Sequence, residues 1–323
     1  MKCDAKALWH LTASVALSIA IVWLPVEAAE PTTTHLIGVL MPPVPSQEEG
    51  LRQGLRDLGY IEGKTIVIEW RRSSGTMEEL QALATDLARS KVELIVASGT
   101  PAARAASQVT TIPVVFLAGD PVGTGLVASL SKPGGNNTGI SVIAAELTAK
   151  RLELQRMLAP RARRVAYFMN SSNPVVAPAL DAAQDAARRL GLKLVLLDTR
   201  NAAEIDAAFR AIAVSRPDGI LLAADFVFVE HRAKIEKGVR AARLPAMSPT
   251  KEIGLVISYG PDVRDAIRRT ALYLDKILRG AKPADLPVEQ ISEYKLVIDM
   301  RLAHAMGLKV PQALLARADE IIR

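Results

Sequence analysis

The sequence predicts an α/β protein of two doubly wound, parallel-sheet lobes joined by a three-segment hinge. Short apolar runs alternate with segments of helical period, the pattern of parallel strands joined by helices that cover both faces of a sheet. The alternation comes in two series of similar length, and the last third adds elements without opening a third series. Length agrees, since 323 residues at roughly 150 residues per domain make about two domains. With 50% hydrophobic and 23% charged residues, the chain is neither disordered nor fibrous.

The opening residues stand outside this alternation. Lys2 and Lys6 precede the apolar run Leu11–Leu24, and Pro25-Val26-Glu27-Ala28 follows. That is the basic, apolar and small-residue order of a secretory signal, with cleavage expected after Ala28. The run is shorter than the about 20 residues that span a bilayer; a retained signal anchor is the alternative. The one cysteine, Cys3, precedes the run and leaves with the signal. The mature chain then has no disulfide, no thiolate metal site and no cysteine nucleophile.

The first series begins with strand Leu36–Leu40 and a helix opened by Gln47-Glu48-Glu49, with Leu51, Leu55 and Leu58 on one face and Gly59 at its end. Strand Ile66–Glu69 follows, and Thr76-x-x-Glu79 is a capping box for a helix carrying Met77, Leu80, Leu83 and Leu87. The cycle continues with strand Glu93–Ala97, helix Pro101–Gln108, strand Pro113–Leu117, a helix over about Val122–Leu130, and strand Gly139–Val142. Helix Glu146–Leu158 leads into the second series, with strands Arg164–Met169, Lys193–Leu197, Gly219–Ala223 and Leu244–Met247. Helices near 175–190, 202–214 and 230–242 lie between them. Strand Leu255–Tyr259, a long helix from Val263 to Leu278, and short strands at Leu286–Val288 and Leu296–Ile298 complete the chain. One lobe is then residues 35–143 plus 260–287, and the other 144–259 plus 288–323. The chain crosses between them near Val142–Ala144, Tyr259–Pro261 and Val288–Gln290, and parallel crossings of this kind form a hinge.

Several phrases resemble one family: GLRDLGYIEGKTIVIEWR from Gly54, VELIVASGTPAA from Val92, TIPVVFLAGDPVGTGLVASLSKPGGNNTG from Thr111, RRVAYFMNSSNP from Arg163, and SYGPDVRDAIRR from Ser258 through to Gln290. Together with the closing LLARADEII from Leu314, they are similar to the ABC-transporter substrate-binding proteins of the tryptophan/tyrosine type. The resemblance covers essentially the whole mature chain. It implies a periplasmic-binding-protein fold of type I, with a ligand closed between two α/β lobes, and as partners a membrane permease and its ATPase. The chain departs from the family pattern at Ser248–Gly254, where members carry a longer, often aromatic stretch with consecutive glycines.

Candidate ligand contacts sit where strands end and helices begin. Ser98-Gly99-Thr100-Pro101 joins a buried strand to a helix, with Thr100 as cap and Pro101 at the first helical position. The same turn offers backbone N–H groups and two hydroxyls to an anionic group at the carboxyl edge of a parallel sheet. Asp120 is either a helix cap or an acceptor for a ligand ammonium. Asn170 and Asn173 repeat the pattern in the second lobe, with Asn173 as cap, and Asp225 is their neighbour after the next strand. Tyr259, at a crossing, walls the cleft or packs the hinge.

Enzyme-like strings fail on context. Gly123-Thr-Gly125-Leu-Val-Ala128 fits a dinucleotide pattern but stands away from its strand, with no acidic partner downstream. Ser248-Pro-Thr-Lys251 lacks the companion motifs of penicillin-binding enzymes. His10, His35, His231 and His304 are scattered, so no zinc site is expected. A net charge of +6 with interleaved signs and only 4% aromatics speaks against nucleic acid as partner. The sequence therefore reads as an exported, monomeric binding protein without cofactor, capturing a small polar solute such as an amino acid or other carboxylate. The alternatives are a periplasmic enzyme with Asp120 and Asp225 as acid and base, or a ligand-sensing partner of a membrane receptor.

Overall fold

The computed structural model describes residues 34–73 and 76–323. The signal expected over residues 1–28, with Cys3 and His10, lies outside the described residues. The first series is β1 (His35–Met41), α1 (Pro45–Asp57), β2 (Ile66–Arg72), α2 (Met77–Arg89), β3 (Leu94–Ser98), α3 (Thr100–Val109), β4 (Val114–Gly119) and β5 (Asn137–Val142). α4 (Ala144–Leu158) opens the second, followed by β6 (Arg164–Met169), α5 (Val176–Arg189), β7 (Lys193–Asp198), α6 (Ala202–Ser215) and β8 (Gly219–Leu222). It continues with α7 (Phe226–Glu230), α8 (Arg232–Ala242), β9 (Ala246–Ser248) and β10 (Ile257–Gly260). The closing third is α9 (Val263–Leu278), β11 (Glu289–Gln290), β12 (Lys295–Asp299), α10 (Met300–Ala305), α11 (Gln312–Leu315) and β13 (Glu320–Ile322).

Two sheets result. The first has the order β11-β5-β4-β3-β1-β2 with every pair parallel, and the second β13-β12-β10-β9-β8-β6-β7. The inner strands β3 and β8 are buried at every residue, which is why they read as unbroken apolar runs. In the first sheet, Ile37, Leu94 and Val115 pack on one face with Ile267 and Leu274 of α9, and Leu40, Ile95 and Phe116 on the other with Leu87 and Ala106. The second sheet is centred on Phe168, Ile220 and Phe228. Local signals set the helix starts: Thr76 Oγ1 accepts the Glu79 N–H at 3.3 Å, and Asn201 Oδ1 accepts those of Ala203 and Glu204.

Several elements differ from the sequence expectation. Residues 122–130 form turns rather than a helix. Gly123 and Gly125 interrupt the backbone there, and Leu126 and Val127 reach the core from irregular chain. Thr100 is the first helical residue of α3 and Gly99 its cap. Asn173 is not the cap of α5, which follows Val175. The helix expected near 230–242 is α8, and a short helix the sequence expectation lacked, α7, precedes it and meets it at His231. The second sheet is mixed, because β12 runs antiparallel to β10. The lobes divide later than 287/288: Glu289 and Gln290 pair with Ile140 and Ser141 of β5, so the chain leaves the first sheet after Gln290, at the end of the crossing expected near Val288–Gln290.

Candidate functional site

The carboxyl ends of the parallel strands in both sheets face one another across a cavity of about 130 Å³. The first sheet contributes the β3–α3 turn and the end of β4. The second contributes the loops after β6, β8 and β9, and α4 contributes one side chain, Arg151. The halves touch around it. Phe226 lies so close over Gly99 that a Cβ there would stand 2.2 Å from the ring. Val44, just before α1, packs into the second sheet's core, and the Ser46 hydroxyl donates to Glu252.

Gly99 adopts φ +99°, a left-handed conformation that disfavours side chains, and its N–H donates to Leu117 O at 2.7 Å. Gly99 and Thr100 line the cavity, but the Gly99 N–H and both hydroxyls of this turn already have protein partners. Ser98 Oγ donates to Gln47 Oε1 at 2.8 Å, and Thr100 Oγ1 both donates to Gly119 O and accepts from Gly119 N at 3.0 Å. These bonds lock β3, β4 and α3 together and leave the hydroxyls as scaffold.

Asn170, Asn173 and Asp225 converge at a smaller recess of about 30 Å³ next to the main cavity, bordered also by Ser98. Asp225 Oδ2 accepts the amides of Asn170 at 3.1 Å and Asn173 at 2.8 Å, while Oδ1 caps α7 through Val227 N at 2.9 Å. Burial pushes the Asp225 carboxyl above its usual range, against the pull of these three hydrogen bonds. Asp120 sits apart, at φ 39°, with Oδ1 accepting the Gly123 N–H at 2.9 Å, and it lines a different recess with Val142 and Gln290. The two carboxylates that an acid–base pair would need therefore do not share a cavity. Tyr259 lies at the hinge, its ring 6.2 Å from that of Tyr294 in the third crossing.

Arg151 is a residue the sequence expectation missed. It is 1% exposed, its Nε donates to Tyr259 O at 2.7 Å, and its Nη1 has no hydrogen-bond partner among the described residues. Burial pulls the guanidinium down to about 10, so it is still charged at neutral pH. The titratable neighbours acting on that charge are the phenols of Tyr167, Tyr259 and Tyr294. Burial pushes Tyr167 up to about 12 and raises Tyr294, which leaves those two phenols neutral at physiological pH. The signal was present in the spacing: Arg151 occupies the buried stripe Leu147, Arg151, Leu154, Leu158 of α4. Among the described residues, no three His, Cys, Asp or Glu side chains are grouped to hold a metal ion. No described helix is long and apolar enough to cross a membrane.

The family profile described as ABC transporter substrate binding protein matches residues 39–322. The chain is 26% identical over 273 residues to a tyrosine-binding protein of Clostridioides difficile, covering 83% of this chain and 78% of that one. A solved domain from Streptococcus pneumoniae in complex with L-Trp superposes with a TM-score of 0.82 at 26% identity, covering 90% of this chain and all of the other. A conserved domain protein from Vibrio cholerae matches with a TM-score of 0.83 at 27% identity, again over 90% of this chain and the whole of that one. The fold is that of type I periplasmic binding proteins.

Proposed function

The chain belongs to the family of ABC transporter substrate binding proteins, and from that membership we propose that it is the extracytoplasmic capture component of an importer. It takes up a small carboxylate-bearing solute between its two halves and delivers it to a membrane permease coupled to an ATPase. The observation that carries this reading is the cavity of about 130 Å³ walled by strand ends of both sheets. Ligands at such switch points meet loops and helix N-termini rather than strand interiors. Gly99, Thr100, Asn173 and Asp225 contact the solute, while Ser98 and Asn170 hold those residues in place and Tyr259 packs the hinge. The relatives named for tyrosine and bound to L-Trp support an amino acid or another carboxylate as the class to test.

The mechanism is closure about the three crossing segments. A solute that touches both halves binds the closed form more tightly than the open one, and that difference in affinity drives the change. No bond of the solute is made or broken, and the protein works as a monomer without cofactor or nucleic acid. Residues 1–28 direct export and are removed after Ala28. A melting-temperature screen of the purified protein against the L-amino acids and simple monocarboxylates tests the reading. The expected result is at least one stabilising solute, bound one per chain and recovered unchanged. Chemical conversion of that solute in molar excess over protein would instead establish an enzyme.

A further inference from the structure

One aromatic ring lies where the two halves meet. Phe226 of the second half rests on Gly99 of the first, so close that a Cβ on Gly99 would overlap its Cε2 and Cδ2 atoms. The backbone that carries the ring is pinned. Asp225, the residue before it, caps α7 through Val227 N, and its other oxygen holds the amides of Asn170 and Asn173. On the far side, Val227, Phe228 and Val229 are buried in the core of the second sheet. Withdrawing α7 from the cleft would break those bonds and expose three apolar side chains to water.

Phe226 borders both the cavity of about 130 Å³ and the recess of about 30 Å³ beside it, together with Pro101, Asn173 and Asp225. These four residues, common to both linings, form the partition between the two spaces, and Phe226 is the largest of them. The cavity alone is somewhat smaller than the roughly 150 Å³ that accommodates benzene. An aromatic amino acid carries a ring of that size plus a β-carbon, an α-carbon, a carboxylate and an ammonium, and exceeds it. Parting the halves to admit one would lift Phe226 from Gly99 and separate Ser46 from Glu252, contacts that hold the two sides together. We infer that Phe226 sets an upper limit on the solute, which is a short molecule no larger than about L-valine, and that aromatic amino acids are excluded. This rests on the solute-capture reading and narrows its substrate class by size, whichever groups meet the charges of the solute.

Calorimetric titration of the purified protein with two series tests it: glycine, L-alanine, L-valine, L-phenylalanine and L-tryptophan, and then acetate, butanoate and 3-phenylpropanoate. Within each series the head group is constant and only the body grows. The tightest member is expected to be no larger than L-valine or butanoate, with a loss of at least about tenfold at the aromatic members. Phe226→Ala, which opens the partition, should bind L-phenylalanine or 3-phenylpropanoate at least about tenfold tighter than the wild type does and bind the short members less well. A loss of packing alone would weaken all members and would not move the preference. Wild-type preference for an aromatic member overturns the inference, as does a folded Phe226→Ala protein that keeps the wild-type order. A solute from the wider screen with another head group is judged by the same size limit, and one as large as L-phenylalanine that binds most tightly also overturns it. The wild-type comparison stands even if the variant fails to fold. Preference for a large solute removes this inference and leaves solute capture intact; no response to any solute in the wider screen removes both.

Discussion

Arg151 and Gly99 carry opposite requirements, one electrostatic and one steric. Arg151 places a desolvated cation in the unliganded protein, so Arg151→Met, of similar shape and without charge, should raise the ligand-free stability. Even after loss of the Tyr259 bond, the gain should be about 1 kcal/mol or more, as for other buried charges replaced by apolar groups. Calorimetric melting checks this. Gly99 is held at φ +99° under the Phe226 ring, where an added Cβ would overlap it. Gly99→Ala should cost at least about 1 kcal/mol and weaken solute binding, with Phe226→Leu recovering part of the binding but not of the strain; titration and melting read the two effects separately. At this scale the sequence marked turns that line the cavity and its neighbouring recess, strand ends followed by small or polar residues. It did not show that Ser98 and Thr100 bond to Gln47 and Gly119, because those partners lie 51 and 19 residues away. Arg151 was hidden by the opposite habit, that of reading a charge on a helix as a solvated one.

Helix and strand periods were legible wherever burial is one- or two-faced, as in β3, β8 and the Thr76-capped α2. They misled at residues 122–130, where Val122, Leu126 and Leu130 are spaced as on a helix. There Asp120 closes a turn onto Gly123, and Leu126 N bonds back to Pro121 O. The lobe boundary at 287/288 fell two to three residues short because a two-residue strand, β11, carries too little pattern to assign to a sheet. Close packing of α1 on α9 is another feature periodicity does not reveal. Gly50 and Gly54 lie one turn apart on α1, and a Cβ at Gly54 would stand 2.2 Å from Arg268 O. Glycine to alanine inside an exposed helix gains about 0.5–1 kcal/mol; here the sign reverses. Gly54→Ala should destabilise by about 1–3 kcal/mol, the range of overpacked sites, measured by urea unfolding; an unchanged or raised midpoint would show that the helices can part without cost.

At the scale of the molecule, chain order explains why the cavity is shared. The chain fills the first sheet, crosses after β5, builds the second, returns through α9 to pack on the first, and crosses again after β11. Each crossing ties the halves covalently, and the cavity is the space their strand ends enclose. This much followed from counting two series and one return; the closeness of the halves, with Phe226 on Gly99 and Val44 in the opposite core, did not. The most direct measurement is the distance between spin labels at Val214→Cys on α6 and Leu272→Cys on α9, both exposed positions in opposite halves. They are introduced in the chain from Ala29 onward, which carries no other thiol. A solute that raises the melting temperature should collapse a broad distance distribution into a single shorter one. An identical distribution with and without that solute would contradict capture by closure.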